Sequence, residues 1–207
     1  DRCHRMLQAA GLPVAAGELA KEEAGALRIA KSIGLPVALK AISSEVTHRA
    51  KVGLLAVDLR SEEEVQYAYR RLTARAADLS VSLDGVYVQR MHKGGTELLV
   101  TAFRDPLFGT MVSCGSGGVL TELIDDVITE RAPVSEALAA FMLEQLRSRR
   151  HASDTKGTLA LDHAAAFIAR FSALASTAPW KRFVFEVNPV LWTRECAVAV
   201  DGLLIID

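Results

Sequence analysis

Phe183-Val184-Phe185-Glu186-Val187-Asn188-Pro189-Val190-Leu191-Trp192, followed by Ala197-Val198-Ala199-Val200-Asp201-Gly202, is the stretch whose reading decides the fold. Apolar and β-branched residues fill both halves without a helical period, so each half predicts a strand. The polar Thr193-Arg194-Glu195 between them predicts a turn, and the whole predicts a hairpin. Glu186, Asn188 and Asp201 interrupt it. A carboxylate within an apolar strand is costly unless a positive charge meets it. Glu186 and Asn188 are two apart and therefore share a face, and Asp201 enters from the partner strand. Oxygen ligands of this kind suit Mg²⁺, which takes a few protein oxygens and keeps water and substrate phosphates for the rest of its shell. Two readings stay open here: ligands to a cation, or polar residues of an edge strand that face water.

Around this hairpin the chain has 207 residues, enough for one large or two small lobes with a real core. Half of the residues are hydrophobic and the formal net charge is −1, which excludes a polyelectrolyte tail and gives no sign of a nucleic-acid surface. No apolar run reaches the length of a membrane span and no signal-peptide core is present, so a cytoplasmic location is expected. The first residue is Asp1 rather than Met, and a piece of a longer or trimmed protein is expected. Cys3, Cys114 and Cys196 show no paired spacing. They suit a reducing compartment and speak against zinc.

Working back to the start, Arg2 to Ala10 has helical spacing closed by Gly11-Leu12-Pro13. Val14 to Leu19 reads as a connection, and Lys21 to Ile33 as a second helix stopped by Gly34. Leu35 to Ile42 reads as a short strand with one cation, Lys40. That lysine either points off an edge strand or binds phosphate at the end of a buried one. A polar loop with His48, Arg49 and Lys51 leads to a strand over Leu54–Leu59. Ser61 caps a helix to about Ala77, with Glu62, Glu63 and Glu64 in its first turn. Asp84-Gly85 reads as a turn, Val86–Gln89 as a strand and Gln89–Gly95 as a hinge. Glu97–Phe103 and Thr110–Ser113 read as a hairpin with an Asp105-Pro106 loop. The run Gly115-Ser116-Gly117-Gly118 either frees backbone N–H groups for an anion or is a flexible turn. Ser135 to Arg149 reads as a helix with Leu138, Phe141, Met142 and Leu146 on one face and a basic run at its end. Leu161 to Ala175 reads as another, with Phe167, Ile168, Phe171 and Leu174 as a core stripe. Leu203 to Ile206 is a last apolar run.

Taken in order, these pieces resemble the ATP-grasp domain of NDP-forming acyl-CoA synthetases, and more distantly the β-subunit of succinyl-CoA synthetase. The resemblance is carried by Gly11-Leu12-Pro13-Val14, Gly34-Leu-Pro-Val-Ala-Leu-Lys40, His48-Arg-Ala-Lys-Val-Gly53, Val86-Tyr-Val-Gln-Arg-Met91, Gly94-Gly95-Thr96-Glu97-Leu98, Arg104-Asp-Pro-Leu-Phe-Gly109, Gly115-Ser-Gly-Gly-Val119 with Glu122, Arg131-Ala132-Pro133, Glu186-Val-Asn188-Pro189 and Ala199-Val-Asp201. It implies an α+β fold of two α/β lobes with the nucleotide site in the cleft between them. The whole of 1–207 is then one ATP-grasp unit. Residues 24–88 form the smaller lobe, and 89–207, with 1–23 packing on it, the larger lobe with the Mg-nucleotide site.

The resemblance also implies roles. Lys40 neutralises nucleotide phosphates, the backbone of Gln89-Arg90-Met91 meets the adenine edge, and Glu97 lies near the ribose. Gly117 and Gly118 sit in the loop over the phosphates. Asn188 and Asp201 are Mg²⁺ ligands with Glu186 beside them, and His48 relays phosphate. Phosphoryl transfer of this type needs charge neutralisation and alignment more than covalent help from the protein. The implied enzyme is an acid–thiol ligase in which this part moves phosphate between ADP/ATP and a phosphohistidine. That histidine belongs to a partner CoA-ligase domain, and CoA to a further one, fused or separate. Three positions depart from the family pattern: Lys51 stands for an acid, Leu54 for a glycine and Arg90 for a common Glu. They motivate an alternative, a degenerate regulatory or scaffolding ATP-grasp domain fused to another enzyme such as an acetyltransferase.

Overall fold

The computed structural model describes residues 2–43, 45–46, 50–92, 94–117, 126–147 and 161–207. In chain order its elements begin with α1 (Arg2–Ala9), β1 (Gly17–Ala20), α2 (Glu23–Ile33), β2 (Val37–Ile42), β3 (Leu55–Leu59), α3 (Glu62–Asp78) and β4 (Gly85–Arg90). There follow β5 (Thr96–Asp105), β6 (Gly109–Ser116), β7 (Val127–Arg131), α4 (Glu136–Gln145), α5 (Asp162–Ser176), β8 (Phe183–Trp192), β9 (Ala197–Ala199) and β10 (Gly202–Ile206). The chain forms two units, Ala15–Lys93 and Asp1–Val14 with Gly94–Asp207.

The Ala15–Lys93 unit is an antiparallel sheet in the order β1-β4-β2-β3. Alternation sends Val37, Leu39 and Ala41 of β2, with Val86 and Val88 of β4, to one face. There they form a core with Ala26, Ile29 and Ala30 of α2 and Val65, Ala68 and Leu72 of α3. Gly34 closes α2 with φ +84, a conformation that a side chain resists, and its N–H bonds Ala30 O at 2.9 Å. Ser61 Oγ accepts from Glu64 N at 3.2 Å and starts α3 as its spacing predicts.

Two expectations change in this unit. Residues 14–19 are not merely a connection, because Gly17–Ala20 pairs with β4 as an edge strand. Neither Gly17 nor Glu18 advertises a strand; the pairing edge of β4 supplies the missing preference. The unit therefore runs from Ala15 to Lys93 rather than over 24–88; β4 ends at Arg90, and the boundary after Lys93 falls within the stretch Gln89–Gly95.

The other unit holds a sheet in the order β10-β8-β5-β6-β7, with β9 on the far part of β8. Phe183, Phe185 and Val187 of β8, Val100 and Ala102 of β5 and Val112 of β6 bury one face against Met142 and Leu143 of α4 and Phe167, Ile168 and Phe171 of α5. Phe171 meets Phe185 edge-on at 5.1 Å between ring centroids. Leu7 and Leu12 join this core, and Ala199 N bonds Pro13 O at 2.9 Å, which is why the first residues belong here.

Val127–Arg131, to which the sequence pattern assigned no element, is a strand, β7, paired to β6. Three expectations change in this unit. Gly115 and Ser116 belong to the β6 ladder rather than to a free glycine loop. α4 stops at Gln145, short of Arg149, the basic run beyond Arg147 lies outside the described residues, and Phe141 is 54% exposed and lies off the buried stripe. Asp201 sits at the corner between β9 and β10, outside both strands. Among the described residues no helix is long and apolar enough to cross a membrane.

Candidate nucleotide site

In the Ala15–Lys93 unit the candidate residues lie on β2 and β4. β2 is an inner strand, flanked by β4 and β3, so the edge-strand reading of Lys40 fails. Lys40 is only 7% exposed and pairs across the ladder with Tyr87. It alternates with Leu39 and Ala41 and so points away from α2 and α3. Gln89, 1% exposed, shares that face as a diagonal neighbour one pair along. A buried ammonium is costly unless an anion or acceptors meet it, so the inner strand makes Lys40 a functional candidate.

The exit of β4 is tied down. Arg90 N donates to Ala16 O at 2.8 Å and Met91 N to Pro36 O at 3.1 Å. Arg90 Nε donates to Ile33 O at 2.7 Å, and its Nη2 reaches the same oxygen. Arg90 therefore caps the C-terminal carbonyl of α2, where a cation also complements the helix dipole. Leu54 has a reason as well. It is fully buried in the core, and its carbonyl accepts Ala41 N at 3.0 Å. Two of the three departures from the family pattern thus serve the packing of this unit. His92 follows; burial, with Arg90 adding, holds its imidazolium below the usual imidazole range.

In the other unit the deciding stretch forms β8, β9 and the corner before β10. The ladder between β8 and β5 slips between Leu98–Val190 and Val100–Val187, so β8 bulges at Asn188-Pro189. A bulge re-aims side chains and breaks simple alternation. It is pinned on its other side, where Asn188 N bonds Asp201 O at 3.1 Å and Val200 N bonds Pro189 O at 3.0 Å. Asn188 and Asp201 are thereby brought together. Glu186 lies two residues along β8, paired with Leu203 of β10 and Thr101 of β5. Asp201 Oδ1 also accepts Gly202 N at 3.0 Å, which orients its carboxylate. Burial raises the pKa of the Cys3 thiol and the Asp201 carboxylate adds to it, placing the start of α1 beside this corner.

Glu97 is exposed near the start of β5, and its carbonyl accepts Gly117 N at 2.8 Å. A Cβ on Gly117 would stand 2.5 Å from the Leu98 backbone, so this glycine answers a close approach of strands, and its N–H is already engaged. His48, Gly118 and Glu122 lie outside the described residues. Cys114, buried in β6, is pushed up to about 12, chiefly by burial with Asp126 adding, and stays a thiol. Among the described residues no three His, Cys, Asp or Glu side chains gather as a metal cluster. The oxygen set of Glu186, Asn188 and Asp201 holds just two acids and an amide. That suits a hard cation that keeps water and phosphate in its shell.

Thr101 and Ser113 escaped the sequence reading. They lie on the face of the larger sheet opposite its core, in one row with Glu186 and Thr129, Thr101 partly exposed and Ser113 buried. Alternation along β5 places Thr101 on a face, but nothing in the sequence shows which residue of β8 it will meet.

The sequence profile of the ATP-grasp domain family matches residues 1–206. The chain is 28% identical over 205 residues to the subunit beta of acetate–CoA ligase [ADP-forming] I from Pyrococcus furiosus, covering 97% of this chain and 88% of that one. It is 32% identical over 191 residues to 4-hydroxybutyrate–CoA ligase [ADP-forming] from Nitrosopumilus maritimus, covering 90% of this chain but 27% of that protein. The structure resembles the dinucleotide-forming acetyl-coenzyme A synthetase 1 of Ca. Korarchaeum cryptofilum in complex with coenzyme A and Mg-AMPPCP, with a phosphohistidine segment pointing towards the nucleotide binding site. The TM-score is 0.83 at 30% identity, over 97% of this chain and 88% of that one.

Proposed function

This chain belongs to the ATP-grasp domain family, and from that premise we propose that it is the nucleotide-binding part of an NDP-forming acyl-CoA synthetase. It exchanges phosphate between ADP/ATP and a phosphohistidine of a partner CoA-ligase domain. The observation that carries this is the junction of Asn188 with Asp201 at the β8 bulge, beside Glu186, in a chain similar to an ADP-forming ligase β subunit over nearly its whole length. The chain spans most of that subunit but under a third of the longer ligase, so the complete reaction needs further domains, in the same polypeptide or another.

In the proposed reaction a terminal oxygen of the ADP β-phosphate attacks the phosphorus of the phosphohistidine. The P–N bond breaks, a P–O bond forms, and the histidine, which carries a proton on its other ring nitrogen, leaves as neutral imidazole, yielding ATP; the reverse charges the histidine. Lys40 meets the phosphate charge without a large reorganisation, being already buried. Glu186, Asn188 and Asp201 would hold Mg²⁺, which when bound supplies charge neutralisation at phosphate oxygens. Glu97 takes ribose hydroxyls. The adenine contact assigned to Gln89-Arg90-Met91 falls to carbonyl oxygens, because the Arg90 and Met91 N–H groups serve Ala16 and Pro36. Relay by His48 and a cover over the phosphates from Gly117 and Gly118 remain part of the proposal by resemblance. Acetate and 4-hydroxybutyrate appear in the relatives' names, so the shared part is not what selects the acid. A cytoplasmic location accords with free cysteines held as thiols.

Calorimetric titration of the chain with ATP and ADP, with Mg²⁺ and with EDTA, tests this reading. Saturable binding that needs Mg²⁺ supports it. Absence of binding, or equal binding in EDTA, overturns it in favour of a scaffolding domain.

A further inference from the structure

Thr101 is the direct cross-strand partner of Glu186. Residues so opposed hold their Cβ atoms about 4.5–5.5 Å apart, close enough for a hydroxyl and a carboxylate to serve one ligand. Both side chains are partly exposed on the sheet face opposite α4 and α5, where none of the described helices packs. Among the described residues neither the Thr101 hydroxyl nor the Glu186 carboxylate has a hydrogen bond or ion pair. Ser113 Oγ, next in the row, donates to the Thr101 carbonyl at 3.5 Å and leaves the Thr101 hydroxyl uncommitted.

The two groups have opposite uses. An ionised carboxylate only accepts hydrogen bonds and draws a cation; a hydroxyl donates and can hold an anion's oxygen. Side by side they fit a ligand that is itself a cation–phosphate pair. The next row of the same face bounds that ligand. Ile205, Val184, Phe103 and Met111 line up across β10, β8, β5 and β6, all apolar, and the first cation of that row, Arg131, comes only beyond Met111 on β7, with β5 and β6 between it and Val184 and Glu186. The polar ligand therefore lies over the Glu186–Thr101 row and on towards Asn188, not beyond Val184.

We infer that Thr101 is a further phosphate-binding residue, donating its hydroxyl to a phosphoryl oxygen while Glu186 faces the metal side. This rests on the nucleotide reading above. A threonine placed there only for strand preference would behave differently on substitution. Valine keeps the shape and the β-branch but removes the hydroxyl.

The test is calorimetry on the full chain with Mg·ATP and with adenosine, which lacks phosphate, alongside thermal melts. Thr101→Val is expected to weaken Mg·ATP binding about tenfold, the worth of one hydrogen bond to a charged group. Adenosine binding stays unchanged, and Thr101→Ser restores Mg·ATP. Thr101→Ala carries the same expectation should the valine variant fold poorly. Unchanged Mg·ATP affinity in folded Thr101→Val or Thr101→Ala overturns the inference, as does an equal loss of adenosine and Mg·ATP. A wild-type chain that binds no Mg·ATP overturns the nucleotide reading, and this inference with it.

Discussion

Lys40 on β2 and Glu186 on β8 look alike in the sequence, each a lone charge in an apolar strand, yet the two sheets treat them differently. Lys40 is closed off on an inner strand of the smaller sheet, at 7% exposure. Glu186 stands partly open on the face of the larger one opposite α4 and α5, with Thr101 beside it and apolar Val184 and Phe103 in the next row along. The difference teaches that one sequence signal covers two kinds of site. A closed cation has already lost its water, so its energy depends on the acceptors that it meets. An open carboxylate keeps its water until a cation displaces it, and works with its neighbours on the sheet.

The largest way to break this contrast is Lys40→Met, which removes the charge and keeps the apolar stem. Mg·ATP affinity is expected to fall about a hundredfold, as befits a desolvated charge-assisted contact, while the far-UV circular dichroism spectrum stays that of the wild type. Equal affinity in the two proteins would return Lys40 to a structural role. On the open side, Asp201→Asn keeps the acceptor for Gly202 N and removes the charge. About tenfold more Mg²⁺ should then be needed to reach half-saturation with ATP, with little change in melting temperature. A variant that melts far lower but binds Mg²⁺ normally would make Asp201 a corner residue only.

Smaller effects belong to the β4 exit. Arg90→Glu restores the residue common in the family but sets a carboxylate against the α2 terminal carbonyl. A stability loss of roughly 1 kcal/mol in urea melts is expected, with nucleotide affinity nearly unchanged. A gain in affinity would mean that Arg90 acts on the nucleotide after all. The smallest effect is that of pH on His92. Its folded-state pKa is held below the usual value by burial and by Arg90. The unfolded chain therefore takes the proton first, and the stability present above the ordinary imidazole value is lost as pH falls through the folded one. His92→Asn should flatten that acid limb of the melting curve; an unchanged limb would assign it to other groups.

Much of this was legible in the residues. The helices α2, α3 and α5 follow from apolar spacing and from caps such as Ser61 and Gly34, which are local chemistry. Strands β2, β4, β5 and β8 follow from apolar runs between turn residues. β1 and β7 were not legible, because Gly17-Glu18 and Val127–Arg131 become strands through the neighbour that pairs with them. Phe141 misled because helical spacing marks a stripe but not its edge, and α4 buries Ala139, Met142 and Leu143 instead.

For the site, the sequence by itself determined which residue types are available: Lys40, Glu97, Glu186, Asn188 and Asp201, in an order that marks an ATP-grasp domain. Only the tertiary structure decided that Lys40 is on an inner strand, that a bulge at Asn188-Pro189 carries Asn188 to Asp201, that Arg90 is spent on α2, and that Thr101 stands against Glu186. The physical reason is that charge and periodicity are properties of one strand, whereas register, burial and the neighbour across a ladder are properties of two. A one-residue slip leaves the sequence pattern intact and changes every cross-strand partner.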